Sequence, residues 1–542
     1  MPLRLNWDAL AAAATAQRVY RDTAPMDPMD LPEPLAELGP TDETYLDDDG
    51  LVGLQTYYYR VSAVDGPNEA ISAEVSITYI EGSIVDPTQL AGCILWLDSE
   101  ELGSLSDGAP VTTWEDKSGL GHDFTQPTSG QRPTFKASTP EFLGRPTVSF
   151  ASASPTQSLI GNHAVLQAAA NTGQTILYVA LLGETPFTGS VYAWRSQSLI
   201  GFQALQQPGA RASYYGHGGV SILPTENRAS VPQVITTLHP ATDSGLPSTL
   251  RAEMHDVLSA TPTNPALVLP ANTVNVRVGA REDDSGNPAF ALNGLVGEIV
   301  VYNRVLSDNE LRAVERYLMG KWFPAKSPAD LGGTFLHYRA DDLALGGGDP
   351  VTSWPDATGN GHTATPTGTP PTFREDGIGG KPFVEFGGAN GLSIGGSAFT
   401  DNTSANHTLL LVMQSDNHAH RSTAGVFYNG RAAFGFRGDG LSISLSVSPA
   451  GKTATFLTAD LDPDRVYGYV GSKAGTAVPS LYWTGQRRVA DGPVAQWAVR
   501  PPLLGSSFTG KIYEVALFDR VLTPTEVQCL TEYLRDRYGS EL

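Results

Sequence analysis

Few residues in this chain of 542 are arranged for chemistry, and one set of them is written twice. "TTWEDKSGLGHDF" (112–124) and "TSWPDATGNGHTA" (352–364) share Trp-x-Asp-x-[Ser/Thr]-Gly-x-Gly-His, 240 positions apart (356 − 116). A carboxylate, an indole and an imidazole at that spacing could be a catalytic or metal-binding set performed twice. They could also be a corner. Trp114 and Trp354 follow the alternating stretches "APVTTW" and "DPVTSW". Asp116 and Asp356 then stand where a short carboxylate accepts backbone N–H groups across a turn, and Gly119 and Gly359 supply the positive φ that such a turn needs. An Asx-Gly turn needs no further function, so the corner is the preferred reading.

Retaining glycoside hydrolysis needs two carboxylates about 5 Å apart, which one strand can supply at alternating positions. No strand-like stretch carries such a pair. "REDDSGN" (281–287) holds Glu282, Asp283 and Asp284 in succession, so that neighbours face opposite ways, and its Gly-Asn marks a loop. Glu298 and Glu514 occupy one repeated position in "GEIVVY" and "YEVALF", each without a second acid, and are expected to brace Arg304 and Arg520 or a strand end. No catalytic residue is assigned, and no nucleophile elbow, phosphate loop or zinc spacing occurs. "SDNHAHRS" (415–422) puts Asp416, His418 and His420 on one side of an extended chain, but with no fourth ligand it reads as a polar hairpin loop. Calcium has oxygen-rich candidates: Asp283 and Asp284 in the first half, Asp341 and Asp342 or Asp462 and Asp464 in the second. Solvated surface is the simpler account of these acids, and no cofactor is required.

Carbohydrate binding asks for aromatic rings that stack on sugar faces beside polar forks. "RASYYGHGG" (211–219) offers Tyr214, Tyr215 and His217 next to a glycine loop, with Trp194 before it. Tyr482, Trp483 and Arg487 form a second set. Aromatics in strands more often fill cores than hold ligands, which weighs against each position taken singly.

The elements that would position these residues are short strands. Hydrophobic residues make up 41% of the chain and charged ones 17%, which places it among folded proteins, and the length asks for three or four domains. The 57 Gly and 39 Pro fall between short apolar runs, as an all-β chain requires. A net charge of −22 repels phosphate backbones and anionic lipid, so nucleic acid and membrane insertion are disfavoured, while neutral sugars stay compatible. Cys93 and Cys529 have no counterparts in each other's repeat and read as buried thiols. The opening "MPLRLNWDALAAAATAQRVYRDT" reads as a strand, with Trp7 and Asp8 spoiling any signal-peptide core, so export by the general secretory route is not expected.

Two long stretches repeat each other. "GRPTVSF" (144–150) matches "GKPFVEF" (380–386), "TILYVAL" (175–181) matches "TLLLVMQ" (408–414), and "NGLVGEIVVYNRVLS" (293–307) matches "TGKIYEVALFDRVLT" (509–523). Each copy ends in a capping box, Ser307-x-x-Glu310 and Thr523-Pro524-x-Glu526, that opens a helix. Leu311, Val314 and Leu318, and likewise Val527, Leu530 and Leu534, give each helix one apolar stripe for its own sandwich or a domain junction. Ahead of the repeats, "GLQTYYYRVSAVDGPNEAISAEVSITYI" alternates as two half-buried strands.

This order of blocks resembles the laminin-G-like branch of the concanavalin A-like lectin/glucanase superfamily, nearly end to end in both copies. Leu54, Tyr57 and the Tyr-x-Arg-Val strand resemble the tyrosine corner of fibronectin type III modules. The resemblance implies an all-β fold: a fibronectin-III-like sandwich over 1–82, then two jelly-roll sandwiches over 86–325 and 329–542, each ending in a short α-helix. It implies sugar binding at sheet faces and rim loops, sometimes with calcium. The architecture also resembles that of bacteriophage virion proteins of tail fibre, baseplate or head. The expected function is therefore a non-enzymatic structural and binding component of a virion, meeting other virion proteins and a host-surface glycan, as a homo-oligomer. The alternatives are a bacterial surface or secreted adhesin and an unusual polysaccharide hydrolase.

Overall fold

A computed structural model describes residues 3–7, 14–47, 50–52, 55–79, 86–151, 155–161, 164–166, 173–183, 189–194, 202–207, 211–215, 221–222, 231–240, 248–252, 256–260, 275–388, 391–395, 407–415, 424–428, 432–436, 442–447, 452–457, 467–473, 480–483, 486–489, 503–506 and 508–539. The protein is all-β, built of stacked antiparallel sheets with helices laid on them.

In the first unit the long strand Gln55–Asp65 pairs with Ala16–Asp22 on one edge and with Asn68–Ile71 and Val75–Tyr79 on the other. Leu3–Asn6 pairs with Thr44–Asp47 to start a second sheet. Alternation along "TYYYRV" sends Tyr57 and Tyr59 inward beside Val19. The Tyr57 hydroxyl reaches back along the chain, accepting from Val52 N at 2.7 Å and donating to Gly50 O at 3.3 Å. Trp7 packs half-buried against this core and donates Nε1 to Gln17 Oε1 at 2.7 Å.

The first repeat is organised around three strands: β1 (Cys93–Asp98), β2 (Gln174–Leu182) and β3 (Gly294–Tyr302). β3 lies at the centre. β2 runs along one edge, and the other edge is shared by β1 at residues 298–302 and Arg145–Phe150 at residues 294–296. Beyond β2 the sheet continues through Pro232–His239, Ser248–Ala252 and Asp256–Ala260. A second sheet of eight strands lies opposite, with Val276–Val278 and Gly189–Trp194 in its middle. Every residue of β2 is buried. Ile176, Tyr178 and Ala180 pack into the inter-sheet core, while Leu177, Val179 and Leu181 pack against helix α1 (Asp308–Trp322). The β2 sheet is thus a middle layer, and a strand covered on both faces reads as a continuous apolar run.

The second repeat reproduces this connectivity with β4 (Thr334–Arg339), β5 (His407–Ser415), β6 (Thr509–Phe518) and helix α2 (Pro524–Tyr538). β6 is central, β5 lies on one edge, and β4 and Phe383–Gly387 share the other. Both central strands carry a bulge at one place: the register slips between Val179 and Ala180 opposite Gly297, and between Val412 and Met413 opposite Tyr513.

The shared motifs now have physical reasons. Arg304 forks Glu310, Nη1 to Oε2 at 2.8 Å and Nη2 to Oε1 at 2.7 Å, and Arg520 forks Glu526 with the same two distances. Each fork fixes a helix start to the preceding strand, whose Arg backbone O also accepts from Thr175 or Thr408 Oγ1. The final Phe of G-[RK]-P-x-V-x-F is the inter-sheet key: Phe150 lies over Gly279 and Phe386 over Gly505, both at positive φ, where a Cβ would enter the ring.

Helix α2 also serves the first repeat. Cys529 belongs to the buried cluster of Phe142, Leu318 and Met319. Thr525 Oγ1 donates to Glu141 O at 2.5 Å, and Gln528 Nε2 to Pro232 O at 2.5 Å. Burial pushes the Cys529 thiol up to about 12, and both cysteines are free thiols.

Candidate functional site

The twice-written motif folds as one corner in both copies. Asp116 accepts from Trp96 N at 2.9 Å, Ser118 N at 2.9 Å, Ser118 Oγ at 2.6 Å and His122 N at 2.9 Å. Asp356 accepts from His337 N at 3.0 Å, Thr358 N at 3.0 Å, Thr358 Oγ1 at 2.7 Å and His362 N at 3.4 Å. Each carboxylate clasps the motif's own loop to the strand β1 or β4. Gly119 and Gly359 have φ of 85° and 78°. Trp114 and Trp354 are fully buried. The histidines precede the next strands, Phe124–Thr125 and Ala364–Pro366, by two residues. His122 Nδ1 lies 2.6 Å from Ile94 O, and the His362 ring stacks on Phe335. Burial works against the charge of Asp356, but Thr358 and three amides outweigh it and hold the carboxyl below its usual value.

The repeated glutamates occupy sealed polar nests between sheet and helix. Glu298 accepts from Trp96 Nε1 and Trp322 Nε1, each at 2.6 Å, and from Lys321 Nζ at 2.8 Å. Lys321 Nζ also reaches Asp98 Oδ2 at 2.7 Å, and Lys117 Nζ reaches that same oxygen at 3.0 Å. Glu514 is met by His337 Nε2 at 2.6 Å, Tyr538 OH at 2.8 Å and Tyr533 OH at 3.0 Å. The expectation that these acids brace Arg304 and Arg520 is therefore corrected. The arginines are engaged by the capping-box acids, and the strand glutamates face their helices' C-terminal turns.

Asp98 and Glu298 stand directly opposite each other on β1 and β3. That makes them a carboxylate pair within reach of a single ammonium, drawn from two strands instead of one. A pair from two distant strands has no local signature, so only the register reveals it. Burial and the Asp98 charge push Glu298 up. Burial would raise Asp98 as well, but the Lys321 charge outweighs it and holds that carboxyl down. This split resembles an acid and base pair, yet both side chains are 0% exposed beneath α1, and acid–base chemistry needs access to the substrate. The second copy has Arg339 where Asp98 stands, so it holds one acid only.

The metal candidates are engaged elsewhere. Asp283 Oδ1 accepts from Ser285 N at 2.9 Å and Asn287 N at 2.8 Å, and Asn287 Nδ2 donates to Oδ2 at 3.2 Å; these bonds hold its carboxyl below the usual range. Asp284 lies in the same turn. Asp342 pairs with Arg339 at 2.8 Å and Asp341 with Arg537. Among the described residues no group of three or more His, Cys, Asp or Glu could hold a metal ion. Asp416, His418, His420, Asp462 and Asp464 lie outside the described residues, as does His217.

Register distributes the aromatic candidates over different faces. Trp194 falls in the row of Gly161, Val276 and Phe202, and Tyr214 in that of Leu159, Val278, Tyr192 and Ala204. Val276, Val278 and Tyr192 belong to the inter-sheet core. Tyr215 falls in the other row, with Ile160, Arg277, Ala193 and Gln203. Tyr482 and Arg487 are cross-strand neighbours in the row of Leu410, which packs toward α2, whereas Trp483 shares the row of Leu411 in the core.

Arg281–Glu282 pairs with Pro288–Ala289 as a hairpin between Gly279 and Leu292, whereas in the second copy Phe508 N donates directly to Gly505 O at 3.2 Å. Glu282 pins it to the sheet, accepting from Arg277 Nη2 at 2.9 Å and Nε at 3.1 Å, while Arg277 Nη2 also reaches Gly286 O at 3.2 Å. At its exit Phe290 sits at φ 57°, with its carbonyl accepting from Ser190 N at 3.0 Å. A signal existed in the length difference between copies, but a left-handed phenylalanine cannot be read from residue types.

No protein-family model matches the chain, and no curated protein matches it either. Among solved structures it is similar to the Ruminococcus gnavus IT-sialidase CBM40 bound to alpha2,3 sialyllactose, at 17% identity, covering 28% of this chain and 85% of that one with a TM-score of 0.24. It is similar to domain 4 of AbnA, a GH43 extracellular arabinanase from Geobacillus stearothermophilus, in complex with arabinotriose, at 17% identity, 36% and 98% coverage and a TM-score of 0.29. It is also similar to the binding domain of botulinum neurotoxin DC in complex with SialylT, at 9% identity, 79% and 99% coverage and a TM-score of 0.32. Overlaps this loose carry neither a ligand nor a site residue across. No helix among the described residues is long and apolar enough to cross a membrane.

Proposed function

We propose that this chain is a non-enzymatic binding and structural protein whose tandem sandwiches recognise glycans, organised as units 1–82, 86–325 and 329–542. The observation that carries this reading is the fate of the repeated carboxylates. Asp116 and Asp356 clasp backbone, and Glu298 and Glu514 are sealed under helices, so the acids common to both copies serve the scaffold. Helices cover the outer side of one sheet in each copy, which leaves the outer side of the opposite sheet as the surface on which loops and strands can vary. The net charge of −22 favours uncharged ligands over anionic polymers.

The setting that best suits such a chain is a phage virion, by analogy of architecture. A glycan-array screen of the full chain, repeated with a chelator for calcium dependence, tests the binding reading; silence across the array overturns it. Sugar release from capsule or lipopolysaccharide, abolished by changing one carboxylate, would establish a hydrolase instead. The genes on either side test the setting: tail or capsid genes support it, and a secretion operon overturns it.

A further inference from the structure

We infer that Phe290, lifted from the first sandwich by its hairpin, is the stacking platform for a neutral glycan. The inference rests on the glycan-binding reading and adds a location and a ligand class to it. Phe290 is 40% exposed, and its backbone is left-handed at φ 57°. That conformation is unfavourable for a bulky side chain, and strain of this kind persists where the surroundings over-determine it. Here they do. The Ser190 amide holds the Phe290 carbonyl, and the buried Arg277–Glu282 pair anchors the hairpin ahead of it. The Arg281 guanidinium lies 3.7 Å from the ring centroid and backs one face of the ring.

The second copy gives the contrast. There only two residues separate Gly505 from Phe508, and Phe508, buried at 1% exposure against Phe386, takes the place of the buried Leu292, so that Phe290 has no counterpart. The core position is thus filled in both copies, and the first copy's hairpin adds an exposed aromatic that the second lacks. A ring that neither core needs, held outward on an anchored hairpin, is placed to act on something outside the chain. Stacking uses the C–H face of a pyranose. The carboxylates of Asp283 and Asp284 in the same hairpin, with the strongly negative chain around them, set the field against sialylated or uronic-acid polymers. The ligand class is a neutral, hexose-rich polysaccharide.

The test uses affinity gel electrophoresis of the full chain in soluble starch, galactomannan and mixed-linkage β-glucan, with polysialic acid and alginate as anionic counterparts. Retardation is expected in at least one neutral polymer and in neither anionic one. Phe290→Gly removes the ring and at the same time suits the left-handed backbone, so it should weaken retardation about tenfold while the melting temperature holds or rises. Phe290→Trp should retain binding. Neutral-polymer binding that survives Phe290→Gly overturns this inference alone, as does preference for an anionic polymer, or lost binding together with a drop of several degrees in melting temperature. No retardation in any polymer overturns the glycan-binding reading as well.

Discussion

Asp116 collects three backbone amides and one hydroxyl on two oxygens, so its removal strands several buried donors at once. Asp116→Ala should cost about 2–4 kcal/mol in chemical denaturation, since each unsatisfied buried donor costs roughly 1–3 kcal/mol and partial hydration offsets part of the sum. Asp116→Asn should recover part of it; full stability in the alanine variant would mean that the corner does not hold the strand. The Arg304–Glu310 fork gives a pH signature. The fork to Arg304 holds the Glu310 carboxyl at about 2, below its ordinary 4.5. A depressed acid contributes stability that is present above 4.5 and fades as pH falls from 4.5 toward 2. The pair is partly exposed, so screening should leave only about 1 kcal/mol. Acid titration of Glu310→Gln against the parent should show a shallower loss over that window, and parallel curves would remove the fork from the account.

At the scale of elements, each helix is registered on its sheet by one bulge and one aromatic, and the two copies solve this differently. Gly297 lies under the ring of Trp322, where a Cβ would clash; the second copy has Tyr513 at that bulge and Tyr538 in place of the tryptophan, the two rings meeting edge to face at 5.9 Å. Gly297→Ala should therefore cost about 1–3 kcal/mol through overpacking, whereas Tyr513→Ala should cost through a cavity instead. A neutral Gly297→Ala would mean that α1 shifts freely on the sheet. Lys321 holds two buried carboxylates together. Lys321→Met should destabilise by about 3–5 kcal/mol, because Asp98 and Glu298 would be left as facing buried acids, and the loss should shrink at low pH, where Glu298 binds its proton readily.

At the scale of the molecule, the two repeats are joined through their helices. α2 packs its Val527, Leu530 and Leu534 stripe on its own sheet, and places Thr525, Gln528 and Cys529 on the first repeat. The first sandwich therefore completes its helix-side cluster with residues from the end of the chain. A fragment ending at residue 325 should melt several degrees below the first-repeat transition of the full chain and bind a hydrophobic dye that the full chain excludes. Equal melting without dye binding would show that the contact contributes nothing to stability.

Strand alternation, turn residues, capping boxes and the duplicated blocks were all legible in the residues themselves, because the periods of 2 and 3.6 and the capping of helix ends are local properties. That is why the all-β architecture, the helices opening at Ser307 and Thr523 and their apolar stripes are legible in the sequence itself. The partners of Glu298 and Glu514 are not, since Trp96, Trp322 and His337 reach them from strands and helices distant in the chain. Nor is the face on which Trp194, Tyr215 or Tyr482 falls, since a one-residue change of register or a single bulge reverses it. What a residue can do was local; what it touches was decided by the tertiary structure.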